Sequence, residues 1–232
     1  MPYRRLPKTD RARLSALKCV LDNDSIYTVQ NKVISKKMLS VAETVYKRFE
    51  KVHTAYLSTL RMGNRDEKVY KERLRMARMF ISHFIQVLHL AMQRGEIRTS
   101  YQSLYGFEET DFTVPDLGTE RLVLQWGEQV IAGERERLKY NGVPVYNPNI
   151  AKVAVHYDLF KDMFNSRRHL LDLRAEALER VVALRPEVDE VLVEMWNEIE
   201  LYFKDMPLAE RVSNCRTYGV VYYHRRGETP LF

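Results

Sequence analysis

The chain has 232 residues, 45% of them hydrophobic and 29% charged, which is typical of a folded globular protein rather than a disordered one. A protein of this size buries enough apolar surface to fold without disulfide bonds, and its two cysteines indicate no disulfide framework. The net charge of +6 is uneven, because residues 1–112 carry a balance of +9 and residues 113–232 one of −3. No stretch resembles a signal peptide or a transmembrane helix, so we expect a cytoplasmic protein.

The first half of the chain predicts one short helix and two long ones. The short helix is expected near residues 9–22. A long helix with apolar residues every three or four positions begins after Ser35, a residue type that caps helices, and ends at Gly63. A second long helix is predicted between Asp66 and Gly95.

The second half predicts the same order of helices. A short helix is expected near residues 119–139. A third long helix opens at Asn147-Pro148, a capping residue followed by a proline at the first helical position. A fourth long helix is predicted to begin at Pro186, because acidic residues fill the turn that follows. Turns of a few residues would make each pair of long helices an antiparallel hairpin.

Aromatic segments without clear periodicity follow each predicted hairpin, at residues 99–118 and 215–232. Within the second segment, residues 220–223 are compatible with a short strand and equally with a tail packed along the helices.

Three pairs of similar segments recur in the same order and at a nearly constant offset along the chain. They are Thr9-Asp10-Arg11 with Thr119-Glu120-Arg121, Val41-Ala42 with Val153-Ala154, and Leu104-Tyr105-Gly106 with Thr217-Tyr218-Gly219. Such order indicates an internal duplication. The predicted fold is therefore all-α: an up-and-down four-helix bundle formed by two duplicated long hairpins, with short peripheral helices. We expect one domain, 1–232, made of repeats at about 1–112 and 113–232.

The second long helix has an additional apolar stripe beside its core stripe. Its members are Met76, Met79, Phe80, His83, Val87 and Leu90. A helix that is apolar nearly all round is buried on both sides. One interpretation is that the short helix or the tail of the same repeat covers this face, and the other is a subunit interface, where Met and aromatic residues are suited to contact.

A cluster of basic residues surrounds the predicted tip of the first hairpin. Its members are Arg61, Arg65, Lys68, Lys71, Arg73, Arg75 and Arg78. Such clusters bind nucleic-acid phosphates with release of counterions. The interleaved Asp66, Glu67 and Glu72 favour a solvated polar face instead, so both interpretations stay open.

We predict no catalytic, cofactor-binding or metal-binding residue. Glu50 and His53 have the Glu-x-x-His spacing of dimetal helical bundles, but the pattern occurs once and the apolar stripes contain no carboxylates. The chain has no glycine-rich phosphate loop and no nucleophile motif. Cys215 with His224 matches no known nucleophile signature.

The chain resembles an uncharacterised family of helical proteins found in Bacteroides-type bacteria. The resemblance rests on Arg5-Leu6-Pro7-Lys8-Thr9-Asp10, Ser82-His83-Phe84-Ile85-Gln86-Val87-Leu88 and Tyr146-Asn147-Pro148-Asn149-Ile150-Ala151-Lys152-Val153. It implies one soluble domain and assigns no activity.

The sequence therefore favours a non-enzymatic protein that binds another protein or itself. The alternative is a nucleic-acid-associated protein that uses the basic first repeat. A metal-dependent helical-bundle enzyme is a third hypothesis.

Overall fold

The computed structural model describes residues 3–24, 32–62, 67–108 and 111–223. These residues are predominantly helical, which confirms the predicted all-α class. The elements are β1 (Tyr3–Arg4), α1 (Asp10–Asp24), α2 (Lys36–Met62), α3 (Glu67–Gln93), a 3₁₀ helix (Thr99–Tyr105), α4 (Glu120–Lys139), α5 (Ile150–Tyr202), α6 (Leu208–Thr217) and β2 (Tyr222–Tyr223). Within this part of the chain, no helix has the length and apolar content needed to cross a bilayer.

Side-chain caps start several of these helices where the sequence indicates. The Ser35 hydroxyl accepts a hydrogen bond from the Met38 amide at 3.3 Å, so Ser35 caps α2 as predicted. Thr9 and Thr119 do the same for α1 and α4, accepting from amides three residues later at 3.2 and 3.3 Å. The predicted end of α2 at Gly63 lies outside the described residues.

The predicted turn before Pro186 does not exist, because α5 is one continuous helix with Pro186 inside it. The second hairpin predicted from this turn is therefore wrong. A proline removes one helical hydrogen bond and crowds the preceding turn. Val181 and Val188, seven residues apart on the same helix face, are both fully buried, so packing continues across the proline and outweighs its cost.

The start of α5 also differs from the prediction. Its cap is Asn149, whose side-chain oxygen accepts a hydrogen bond from the Lys152 amide at 2.9 Å. The predicted cap, Asn147, precedes a cis peptide bond to Pro148 and lies outside the helix. Asn149 offers the same chemistry two residues later.

The aromatic segments contain more regular structure than the sequence predicts. The 3₁₀ helix lies within residues 99–118, and α6 extends into the segment that begins at residue 215. Of the two alternatives for residues 220–223, the structure has a short strand, since Tyr222–Tyr223 pairs antiparallel with Tyr3–Arg4.

The described residues form two compact units with separate cores. Unit 1 combines those of Met1–Arg61 and Leu173–Phe232, and unit 2 those of Met62–Asp172. The buried residues of α2 belong to the core of unit 1, and those of α3 to the core of unit 2. The single core that would unite α2 and α3 in a four-helix bundle is therefore replaced by two.

In unit 1, α1 is held against the second part of α5, residues 173–202, by two bidentate ion pairs. Arg13 donates to both carboxylate oxygens of Asp189 at 2.7 and 2.9 Å. Arg185 donates to both oxygens of Asp10 at 2.8 Å. The Arg13 and Asp189 side chains are 11% and 26% exposed, so the first pair is partly shielded from water and from screening by salt.

In unit 2, α3, α4 and the first part of α5 surround an aromatic and aliphatic core. Phe84 and Phe160 are fully buried. α4 approaches α5 closely at Gly127, where an added Cβ would lie 2.3 Å from the ring of Tyr157. Glycine therefore permits this approach, which sets the position of α4 and of the segment that follows it.

Candidate functional site

An open groove with a mostly apolar lining lies on unit 2 and has a volume of about 480 Å³. One wall is the end of α3, and the other is the segment 143–147 between α4 and α5. Its apolar lining is Val87, Ala91, Ile97, Val143, Pro144, Val145 and Tyr146. We refer to it as the groove.

The α3 wall follows from helix periodicity and from the turn that ends the helix. Val87, Ala91 and Arg94 are four and three residues apart, so they share one helix face. The helix ends at Gln93, and the turn after it contains Gly95, whose φ of +74° is the left-handed conformation that favours glycine. The turn places Ile97 against the core of unit 2 with 7% of its surface exposed.

The opposite wall is fixed by a buried ion pair on α4. Arg137 and Glu134 are 2% and 0% exposed and joined by two hydrogen bonds of 2.8 Å. Arg137 also donates to the carbonyl oxygen of Val143 at 2.8 Å, and the Glu134 carboxylate accepts from the Val145 amide at 3.4 Å. The charged pair thus holds the backbone of the second wall.

Tyr105 completes this network. Its hydroxyl donates to Glu134 and accepts from Nε of Arg137 at 2.9 Å. Burial, together with the adjacent carboxylate, raises the pKa of Tyr105 well above its ordinary value, so the phenol stays neutral and remains a donor. The three side chains satisfy one another, so the network is suited to positioning rather than to acid–base chemistry.

The rim of the groove is exposed and carries balanced charge. Tyr146 and Val143 are 79% and 64% exposed. The two charged lining residues, Arg94 and Glu96, pair with each other at 2.7 and 3.1 Å. The groove therefore presents apolar surface with little net charge around it.

The six residues of the predicted second stripe on α3 fall into two groups. Phe80 stacks on His156 of α5 with ring centres 4.2 Å apart, and Met76 and Met79 are half-buried. His83 is exposed, Val87 lines the groove, and Leu90, beside it on the helix, is 50% exposed. A contact within unit 2 thus occupies the middle of the stripe, while its C-terminal end borders the groove. The role of the six stripe residues as an interface stays a prediction.

The predicted basic cluster is partly engaged by protein groups. Lys71 lies 3.5 Å from Glu67, Arg75 lies 2.7 Å from Glu72, and Arg78 donates to the carbonyl oxygen of Gly118 at 3.0 Å. Arg61 and Lys68 are exposed and Arg73 is half-buried, while Arg65 lies outside the described residues. Binding of nucleic acid by this cluster stays a prediction.

The Glu50-x-x-His53 pattern lies on α2. The Tyr46 hydroxyl donates to Glu50, which raises the pKa of Tyr46 to about 12, and His53 stacks on Phe49. Across the described ranges, no group of three or more His, Cys, Asp or Glu side chains is placed to hold a metal ion.

The second wall of the groove was not predicted from the sequence, although two signals for it are present. One available signal was a run of apolar residues, Val143-Pro144-Val145-Tyr146, in a short connection where polar turn residues are usual. The other was the spacing of Glu134 and Arg137 on the inner face of α4, since ionised residues are rarely buried unless they pair.

Comparisons of the chain with protein-family models, with curated proteins and with solved structures find no match.

Proposed function

We propose that this protein is a non-enzymatic binding protein whose groove takes an uncharged, apolar peptide segment of a protein partner. The observation that carries this proposal is the exposure of Val143 and Tyr146 on a wall whose backbone is fixed by a buried ion pair. A fixed wall limits the conformational entropy that is lost on binding. Apolar side chains held open to water offer the driving force for association.

The charge of the groove supports an apolar peptide as the occupant. Arg94 and Glu96 neutralise each other at the rim, so neither an acidic nor a basic ligand gains from long-range attraction there. A volume of about 480 Å³ is in the range of pockets that take a few side chains.

A peptide-array experiment tests this function. The full-length protein is incubated with an array of random 12-residue peptides, and the affinity of enriched peptides is measured by fluorescence anisotropy. We expect uncharged apolar peptides to be enriched. Val143→Asp and Tyr146→Asp each place a charge on the wall and should weaken binding about tenfold or more, the equivalent of roughly 1.4 kcal/mol. Tyr140→Asp is the matched control, because Tyr140 is 62% exposed but does not line the groove.

Three results would contradict the proposal. The first is enrichment of charged peptides, and the second is equal weakening of peptide binding by Tyr140→Asp. The third is salt-dependent binding of a DNA or RNA oligonucleotide that Lys68→Glu weakens and Tyr146→Asp leaves unchanged. That third result would favour the alternative function through the basic cluster.

The internal duplication is part of the same proposal. Its support is that Thr9 and Thr119, at equivalent positions of the two repeats, cap α1 and α4 with the same hydrogen bond. The predicted membership in a family of helical Bacteroides-type proteins and the cytoplasmic location stay predictions, and neither bears on the groove.

A further inference from the structure

The same backbone turn occurs at the end of the 3₁₀ helix and at the end of α6. Gly106 and Gly219, which close these two turns, have φ of +78° and +82°. The matching hydrogen bonds are Gly106 N to Ser103 O and Phe107 N to Gln102 O, then Gly219 N to Arg216 O and Val220 N to Cys215 O. In both places a buried tyrosine, Tyr105 or Tyr218, precedes the glycine.

The buried faces of α3 and of the second part of α5 also match, with one constant separation in sequence. Six buried pairs share this separation: Ile81 with Val188, Phe84 with Val191, Ile85 with Leu192, Leu88 with Met195, His89 with Trp196, and Met92 with Ile199. The second part of α5 is therefore the counterpart of α3 in the second repeat.

One polar contact recurs at the same separation. Arg78 of α3 donates to the carbonyl oxygen of Gly118, immediately before the cap of α4. Its counterpart, Arg185, donates to Asp10, immediately after the cap of α1. In both cases the arginine of one repeat contacts the start of the first helix of the other repeat.

The composition of the two units follows the same crossed pattern. Unit 1 takes α1 and α2 from the first repeat, and α6 and the second part of α5 from the second. Unit 2 takes α3 and the 3₁₀ helix from the first repeat, and α4 and the first part of α5 from the second. The equivalent pairs are α1 with α4, α2 with the first part of α5, α3 with the second part of α5, and the 3₁₀ helix with α6. Each unit thus holds one member of every pair.

The continuity of α5 explains why the pattern is crossed. The two parts of a continuous helix cannot fold back on each other, so the second repeat cannot close on itself. Each part of α5 instead packs with the complementary half of the first repeat.

We propose that each unit is one copy of the same fold, assembled from the first half of one repeat and the second half of the other. A second copy of this chain can then supply the part of unit 1 that comes from the second repeat, in place of the chain's own. Unit 2 is contiguous in sequence, while unit 1 is closed by two arms: the described residues of 3–61, the N-arm, and 173–223, the C-arm. Two chains that exchange C-arms would form an exchanged dimer.

A second copy fits this place because it carries the identical C-arm. The contacts it would re-form join Arg13 with Asp189, Asp10 with Arg185, Arg48 with Glu187, Ser35 with Glu198, and strand β1 with β2. No new surface is needed, so the cost of exchange lies in association and in the segment that leads into the C-arm.

That leading segment is weakly anchored. Between residues 165 and 180 of α5, Ala177 alone is buried, and the other positions are exposed or half-exposed. A bend in this stretch would therefore break few tertiary contacts, and its main cost is the helical hydrogen bonds of the turn at which α5 opens.

Charge reversal in the two arms tests the exchange with full-length chains. The two single variants change one arm each. The N-arm variant carries Asp10→Arg and Arg13→Glu, and the C-arm variant carries Arg185→Glu and Asp189→Arg, so that in each variant both ion pairs between α1 and α5 become like-charged. Each variant alone should melt roughly 10 °C below the wild type, because like charges then face each other at partly shielded sites. The double variant, one chain with both arms changed, should regain most of this loss, because both ion pairs and the contact between positions 10 and 13 again join opposite charges.

The deciding sample is an equimolar mixture of the two single variants, unfolded together and refolded at high protein concentration. We expect the Tm of the double variant and, in native mass spectrometry, the mass of one chain of each kind. Glu43→Lys is the control, since its exposed pair with Lys47 lies within α2 and should change the Tm little.

Three results would overturn the proposal. A mixture that keeps the two lowered melting temperatures, while the double variant recovers, excludes the second copy. A double variant that melts no higher than the single variants excludes the Arg13–Asp189 contact, and with it the crossed assembly. Single variants that melt at the same temperature as the wild type also exclude this contact and the crossed assembly.

Discussion

The Arg137 side chain links the fold of unit 2 to its groove through hydrogen bonds to Glu134, Tyr105 and Val143. A buried ion pair of this kind is costly to break, because the remaining partner keeps its charge without compensation. Its effect on the groove is indirect, through the backbone position of the second wall.

We predict that Arg137→Met lowers the free energy of unfolding by about 3 kcal/mol or more, since it leaves the Glu134 carboxylate buried without its cation. Chemical denaturation followed by circular dichroism measures this. Lys139→Met on the same helix is the control, because the exposed Lys139–Glu136 pair contributes at most about 1 kcal/mol. Equal losses in the two variants would argue against a buried network.

His89 should make the stability of unit 2 dependent on pH. It is 3% exposed, with its ring against Phe107 and Phe112 at 4.9 and 5.7 Å. Burial lowers the pKa of His89 below its ordinary value, although the Phe112 backbone and the Asp111 carboxylate offset part of this. Below a pH of about 6.5 the unfolded chain therefore binds a proton that the folded state resists.

The expected result is a free energy of unfolding that falls as the pH is lowered from 7.5 to 5.5, and a smaller fall in His89→Phe. Denaturation at both pH values measures it. The pKa of His156 is also lowered by burial, so part of the fall should persist in the variant. An unchanged pH dependence in His89→Phe would contradict the assignment.

The length of α5 could not be predicted from sequence patterns, because the helix continues through Pro186. Capping residues and apolar spacing identify α1 to α4 because these signals are local. Pro186 with an acidic turn after it has the same local signature as a helix start. Whether such a helix continues is decided by distant packing, here by Val181 and Val188 in the core of unit 1. No short window of sequence contains that information.

Pro186→Ala should raise the Tm by a few degrees, equivalent to about 1 kcal/mol, because alanine restores the helical hydrogen bond that proline lacks. Differential scanning calorimetry measures the shift. Ala183→Gly, at an exposed position of the same helix, should shift the Tm by a similar amount in the opposite direction. A Tm lowered by Pro186→Ala would indicate that α5 needs the proline for its packing.

The division of the described residues into two cores could not be predicted from the periodicity of the helices. The core stripe of α3 is largely buried as predicted, whereas in the predicted stripe of α2 Val45 and Phe49 are buried and Val41 is 40% exposed. A stripe also does not specify its partner. The same holds for the groove. Val87 was singled out from the sequence, whereas the wall opposite it depends on a network that joins residues 105, 134, 137 and 143.

Shortening a buried side chain in one core should destabilise the unit that contains it more than the other unit. Phe160 is fully buried in unit 2, so Phe160→Ala should cost about 3–5 kcal/mol. Hydrogen exchange with mass spectrometry should show lost protection mainly in residues 67–172, and Phe49→Ala in unit 1 is the reciprocal control. Uniform loss of protection in both variants would indicate a single cooperative core.

The split of unit 1 across the sequence has a consequence for synthesis on the ribosome. All the segments of unit 2 have been made once residue 172 is complete, whereas α1 and α2 wait for residues 173–223. At about 5–20 residues per second, the interval between the end of α2 and the start of the C-arm is on the order of ten seconds. During that time the apolar faces of α1 and α2 lack their core partner, so the first helices to be translated belong to the last unit to close.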